Sequence, residues 1–156
     1  MIEYNLNIGD LRVSGYNKVV YTCLGLGSCI GLFLQDRTNN LSGAAHIFLP
    51  EQSCPDSLDK FYSANRAINQ LLWEFRRLGS SLNTLRAKIV GGANILTSGF
   101  QTGKQNVESV TKELVKHKVY IAAADVGGNV SRSAWFEGGN GTLKVRISQS
   151  HHYRIY

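Results

Sequence analysis

The chain has 156 residues, 43% hydrophobic, 18% charged and 10% aromatic, with two prolines and a formal net charge of +6. That is enough chain for one domain with its own apolar core, which excludes disordered and repeat architectures and removes the need for a metal or disulfide staple. No apolar run nears the ~20 residues of a membrane span, and Met1-Ile2-Glu3-Tyr4-Asn5 lacks the layout of a secretory signal, so a cytoplasmic protein without membrane insertion is expected.

Ile2, Tyr4, Leu6 and Ile8 alternate with polar residues, the period of a half-buried strand, and Gly9-Asp10 turns the chain. Two further extended pieces, Leu11 to Val13 and Lys18 to Leu24, lead into a glycine-rich elbow, Gly25-Leu26-Gly27-Ser28. Cys29 and the apolar run Ile30 to Leu34 follow, then a hairpin turn over Asp36 to Asn40 and a returning strand, Leu41 to Leu49, stopped by Pro50. Residues 51 to 60 read as a polar loop.

From Ser63 to Leu78 the positions Ile68, Leu71, Leu72, Phe75 and Leu78 step by three and four, which predicts a helix ended by Gly79. Lys88 to Val90 is a short strand ending in Gly91-Gly92. Val107, Val110, Leu114 and Val115 predict a second helix of about 13 residues. Val119 to Val126 is an apolar strand broken by Gly127-Gly128-Asn129, and Ala134 to Phe136 with Thr142 to Ile147 flank Gly138-Gly139-Asn140-Gly141 as a hairpin. Many strands with two helices predict a single α+β domain over residues 1–148, mainly antiparallel or mixed sheet layered with the helices as an α/β sandwich. Residues 149–156 read as a C-terminal tail. The densest basic clusters, Arg76-Arg77 and Lys116-His117-Lys118, fall at predicted helix ends, where cations suit the helix dipole.

The candidate chemistry is Cys29 with His46. Glycines before Cys29 permit turns whose N–H groups converge on an oxyanion, with Gly27 and Ser28 as candidates. A hairpin centred near position 38 gives facing pairs a residue-number sum of about 76. Cys29 and His46 sum to 75, close enough to stand on neighbouring strands. An imidazole there lowers the thiol pKa by favouring the thiolate and later protonates a leaving amine. Gly91, Gly92, Gly127 and Gly128 end two apolar strands, either as plain turns or as the border of a substrate cleft, and Asn94, Asn106 and Asn129 are candidates to bond a substrate amide. Cys23, Cys29, His46 and Cys54 lack the paired C-x-x-C spacing of a zinc site, and no nucleotide-binding loop is present, so no metal or cofactor is expected. The cysteines are read as reduced thiols. Nucleic-acid binding through the +6 charge is not expected either.

Leu24-Gly25-Leu26-Gly27-Ser28-Cys29-Ile30-Gly31, followed by Gly43-Ala44-Ala45-His46-Ile47-Phe48-Leu49-Pro50, closely resembles the signature of the chemoreceptor glutamine deamidases, the CheD family. The likeness continues through Lys88 to Asn94, Thr102 to Val107 and Asp125 to Asn129 with Arg132, covering nearly the whole chain in order. The resemblance implies a cysteine hydrolase, a protein-glutamine glutaminase that converts glutamine side chains of bacterial chemoreceptor cytoplasmic regions to glutamate with release of ammonia. It makes Cys29 the nucleophile and His46 its base, and it implies a CheC-type phosphatase as a second partner. The family carries a catalytic threonine six positions before the cysteine. Here that position is Cys23, with Thr22 one step away. Either a one-residue bulge lets Thr22 serve, or the orienting hydroxyl is missing and the protein is a catalytically weak or inactive adaptor for receptors or phosphatase.

Overall fold

The structure is a computed structural model and describes residues 1–50, 60–95 and 101–156. Its order is β1 (Ile2–Asn5), β2 (Leu11–Ser14), β3 (Val19–Leu26), β4 (Ile30–Asp36), β5 (Leu41–Ile47), α1 (Ala64–Arg77), β6 (Leu85–Gly91), α2 (Thr102–Lys116), β7 (Tyr120–Val126), β8 (Arg132–Glu137), β9 (Leu143–Ile147) and β10 (Tyr153–Ile155). Two five-stranded sheets form, one ordered β1-β3-β8-β9-β10 and the other β2-β5-β4-β6-β7. Both helices pack on the second sheet, giving three layers: helices, inner sheet, outer sheet. The expected α+β domain with two main helices is what the chain forms. Among the described residues no helix is long and apolar enough to cross a membrane.

Being covered on both sides, β4 and β5 are buried at every position. Their alternation divides the core. Ile30, Leu32 and Leu34 join Ile68, Leu71, Leu72 and Phe75 of α1 in a cluster beneath the helices. Cys29, Phe33 and Ala44 face the other way, into a second cluster with Tyr21, Cys23 and Phe136 between the sheets. Side chains two apart on a strand share a face, so Cys29 and His46 belong to the inter-sheet side.

Three expectations change. Val115 is exposed, so the apolar face of α2 is carried by Val107, Val110 and Leu114 together with buried Gly103 and Asn106. Residues 153–155, expected within a tail, pair antiparallel with β9 as an edge strand. All three are exposed, so they carry no burial alternation that sequence could report. Tyr156 pairs with Leu143 through both backbone groups, and its hydroxyl donates to Asp125 at 2.8 Å. Third, Ile30 faces Ile47 and Gly31 faces His46, a sum of 77. Cys29, just before β4, is therefore the diagonal neighbour of His46 rather than its direct partner.

Arg76 and Arg77 occupy the last turn of α1, and Lys116 the last turn of α2, as the helix-end reading expects. Cys54, most of the loop 51 to 60 and part of the loop 95 to 104 lie outside the described residues.

Candidate active site

The elbow before Cys29 is fixed from one side. Three successive carbonyls are engaged: Gly27 accepts from the Ala93 N–H at 2.9 Å, Ser28 from Asn106 Nδ2 at 2.8 Å, and Cys29 from the Gly92 N–H at 2.9 Å. Asn106 also donates to the Phe48 carbonyl at 3.1 Å, tying the elbow to the end of β5. Gly27, Ser28, Gly91, Gly92 and Asn94 thus surround the Cys29 backbone. The N–H groups of Gly92, Asn94 and Gly127 are already used, by Cys29, Gly128 and Gly91 carbonyls respectively. Asn106 serves the protein's own carbonyls and not an open cleft. Gly127 and Gly128, both at positive φ, hold the Gly91–Asn94 segment from behind.

On the other side is a cavity of about 440 Å³. Its wall includes Cys29, His46 and Thr22, with Leu24 and Gly25 of β3 and the segment from Asn5 to Ile8. The structure therefore brings Cys29, His46 and Thr22 to one cavity, and leaves the glycine and Asn94 candidates outside its lining. Cys23, the gapless match to the family's threonine, is instead fully buried between the sheets. The register of β3 against β8 shifts between Cys23 and Leu26, and Gly25 in that irregularity has φ +62 and donates its N–H to Ser133 Oγ at 3.1 Å. Two residues of β3 face one of β8 there, a bulge between Thr22 and Cys29.

The segment after β1 is the part the motifs miss. His46 Nδ1 lies 2.9 Å from the Leu6 carbonyl. A carbonyl only accepts, so Nδ1 carries the proton and Nε2 keeps the lone pair in the neutral ring. The same segment holds the His46 backbone: Gly9 N–H donates to the His46 carbonyl at 2.9 Å, and His46 N–H to the Asp10 carbonyl at 3.0 Å. Asp10 in turn pairs with Lys60. A non-glycine side chain at Gly9, φ +83, would meet the Tyr62 ring at 2.8 Å, so the clamp requires glycine there. The alternation of β1 already hinted at this, since Asn5 and Asn7 are the polar positions between Tyr4, Leu6 and Ile8.

Burial pushes the Cys29 thiol up, with its own backbone N–H pulling weakly the other way. Burial also moves the His46 imidazole down, against the Leu6 carbonyl and the Asp10 charge. Both shifts favour a neutral thiol and a neutral imidazole, the opposite of the thiolate expected from an ion pair: both residues are buried, and desolvation outweighs the diagonal approach of the two groups. Peptide-resolved alkylation by iodoacetamide should therefore show Cys29 reacting faster as pH rises, with its inflection above the ordinary thiol range of about 8.5. Rapid modification of Cys29 below pH 7 would mean that the imidazole, not burial, sets its charge. Among the described residues no group of three His, Cys, Asp or Glu side chains is placed to hold a metal.

The family model described as CheD chemotactic sensory transduction matches residues 48–147. A probable chemoreceptor glutamine deamidase CheD of Desulfitobacterium hafniense is 34% identical over 147 residues, 91% of each chain. The chemoreceptor glutamine deamidase CheD of Thermotoga maritima is 34% identical over 142 residues, 90% of this chain and 89% of that one. A solved protein of Neisseria meningitidis overlaps at a TM-score of 0.40 with 12% identity, over 77% of this chain and 52% of that one. With the family model spanning more than half of its length and such relatives matching nine-tenths of it, the chain belongs to the CheD family.

Proposed function

We propose that this protein is a cysteine-dependent deamidase that converts glutamine side chains in the cytoplasmic regions of chemoreceptors to glutamate, releasing ammonia, in chemotaxis signalling. The observation that carries the reading is the convergence of Cys29, His46 and Thr22 on one cavity in a chain of this family. Relatives named as glutamine deamidases supply the substrate class.

In the proposed cycle His46 Nε2 takes the thiol proton as Cys29 Sγ attacks the glutamine Cδ, so that charge is created only as the bond forms. The Cys29 N–H, which faces its own sulfur, is a backbone donor for the oxyanion. The imidazolium then protonates the departing nitrogen, ammonia leaves, and a thioester remains. Water gives its proton to His46 and attacks the thioester; the thiol is re-formed and glutamate is released. Leu6, by holding Nδ1–H, keeps one tautomer through both halves. Thr22 supplies the hydroxyl of the wall and fills the family's orienting role. A CheC-type phosphatase that occupies the receptor-binding surface belongs to the same reading.

The test is incubation of the protein with a chemoreceptor cytoplasmic fragment, following ammonia and the mass gain of amide-to-acid conversion by peptide. Ammonia with conversion at defined glutamines is expected. Complex formation with no ammonia at any pH between about 6 and 9 would replace the enzyme by the adaptor reading.

A further inference from the structure

Because both helices cover the inner sheet, the outer sheet has one face packed and one open. On the open face Arg146 of β9 lies over two rings, its guanidinium carbon 5.5 Å from the centre of Trp135 and 5.8 Å from that of Tyr153. The rings meet edge-on at 5.6 Å, so they form a single platform. No carboxylate among the described residues pairs with Arg146. A guanidinium oriented by aromatic faces with its donor fork unspent is prepared for bidentate capture of an oxyanion.

Beside it lies a cavity of about 450 Å³. It is lined by Arg146, Ser133, Ser148, Gln149 and His151, with Arg132 beside them on β8, and by no acidic residue. Arg132 is committed to Asp125 and the Gly127 carbonyl, which leaves Arg146 as the available cation. Gly25 is part of this wall and also of the Cys29 cavity. Arg146 faces Ser133 across β8–β9, and Gly25 bonds Ser133 across the next gap. Two strand spacings separate Arg146 from the edge of the Cys29 cavity, about 10 Å.

We propose that this cavity is a carboxylate subsite through which the enzyme reads an acidic residue of its substrate segment, so that glutamines with an acidic neighbour are chosen over those without. The inference rests on the deamidase reading for what occupies the adjoining cavity. A span of about 10 Å corresponds to roughly three residues of extended chain or two turns of helix. The net charge of +6 draws such a segment toward the protein and adds no specificity of its own.

The test uses fluorescence anisotropy of labelled glutamine peptides with glutamates at neighbouring positions up to two helical turns away, against peptides with serine there. Binding is measured in a Cys29→Ala background so that no turnover intervenes. The acidic peptide should bind about tenfold tighter than the neutral one, a difference of ~1.4 kcal/mol. Arg146→Ala should reduce the ratio below about twofold, and Arg146→Lys, which keeps charge but loses the fork, should fall between. A ratio unchanged in Arg146→Ala, or near one with Arg146 present, overturns the subsite. Ammonia assays with Cys29 intact separate the two readings. Acidic preference in binding without ammonia from either peptide sinks the deamidase reading alone, whereas equal KM for both peptides with normal turnover sinks the subsite alone.

Discussion

Cys29→Ala is expected to bring ammonia release down to the uncatalysed background, and His46→Gln to lower kcat/KM by about 10²–10⁴-fold, the usual contribution of a placed general base. Glutamine is the informative replacement at position 46. It removes the proton acceptor at the Nε2 position, and His46→Asn, whose amide nitrogen matches Nδ1, is the companion variant that keeps a donor for the Leu6 carbonyl now bonded at 2.9 Å. The two groups act on the same proton, so their effects do not add: the double variant should be no slower than Cys29→Ala alone. The pH profile gives the second readout. His46 must be neutral to accept the thiol proton, and burial lowers its pKa below the ordinary histidine value of about 6.5. Neutral imidazole therefore persists to lower pH than in an ordinary histidine, the acid limb of kcat/KM lies below about 6.5, and that limb disappears in His46→Gln. If His46→Gln retained a tenth or more of the activity with the acid limb in place, the imidazole would not be the base.

That Cys29 and His46 share a face of the sheet is a matter of parity. The expected sum of 76 would, taken literally, place residues 29 and 46 on opposite faces of the ribbon, whereas the observed sum of 77 and their own sum of 75 are both odd. Two residues of slip keep a side chain on its face, and one residue reverses it. The same rule separates Thr22 from Cys23, and there the bulge at Gly25 marks where β3 departs from simple alternation. What the motifs could not supply was the clamp on His46. Leu6, Gly9 and Asp10 reach it because β1 pairs parallel with β3 and β2 with β5, and such non-local pairings leave no short-range pattern. The Arg146 platform was hidden likewise, since Trp135, Arg146 and Tyr153 come from three strands and the last stands in an edge strand with every residue exposed. Glycines were legible as punctuation and not as contacts: nothing in Gly91-Gly92 reveals that one bonds the Cys29 carbonyl and the other stands against it.

Gly91→Ala is expected to cost more than about 4 kcal/mol, the range reserved for core disruption, and to silence the enzyme as well. Two causes act together. Gly91 has φ +114, where a Cβ is strained whatever the space, and that Cβ would stand 2.1 Å from the Cys29 carbonyl oxygen. Neither neighbour can yield. The Cys29 carbonyl is held by Gly92 N–H at 2.9 Å, and the Gly91 carbonyl by Gly127 N–H at 2.9 Å. Relief requires moving the Cys29 backbone away from β6, which carries Sγ and the Cys29 N–H with it and disrupts the proposed site. Gly79→Ala isolates the first cause, because Gly79 has φ +100 with nothing within 4 Å of an added Cβ. Strain of that kind costs about 1–3 kcal/mol and, at the end of α1, touches no group of the site. Urea midpoints at constant slope should therefore fall modestly for Gly79→Ala with turnover preserved, and steeply for Gly91→Ala with turnover lost. Equal midpoints for the two variants, or Gly91→Ala with undiminished ammonia release, would show that Gly91 is a turn residue like Gly79 and that the elbow does not depend on its close approach.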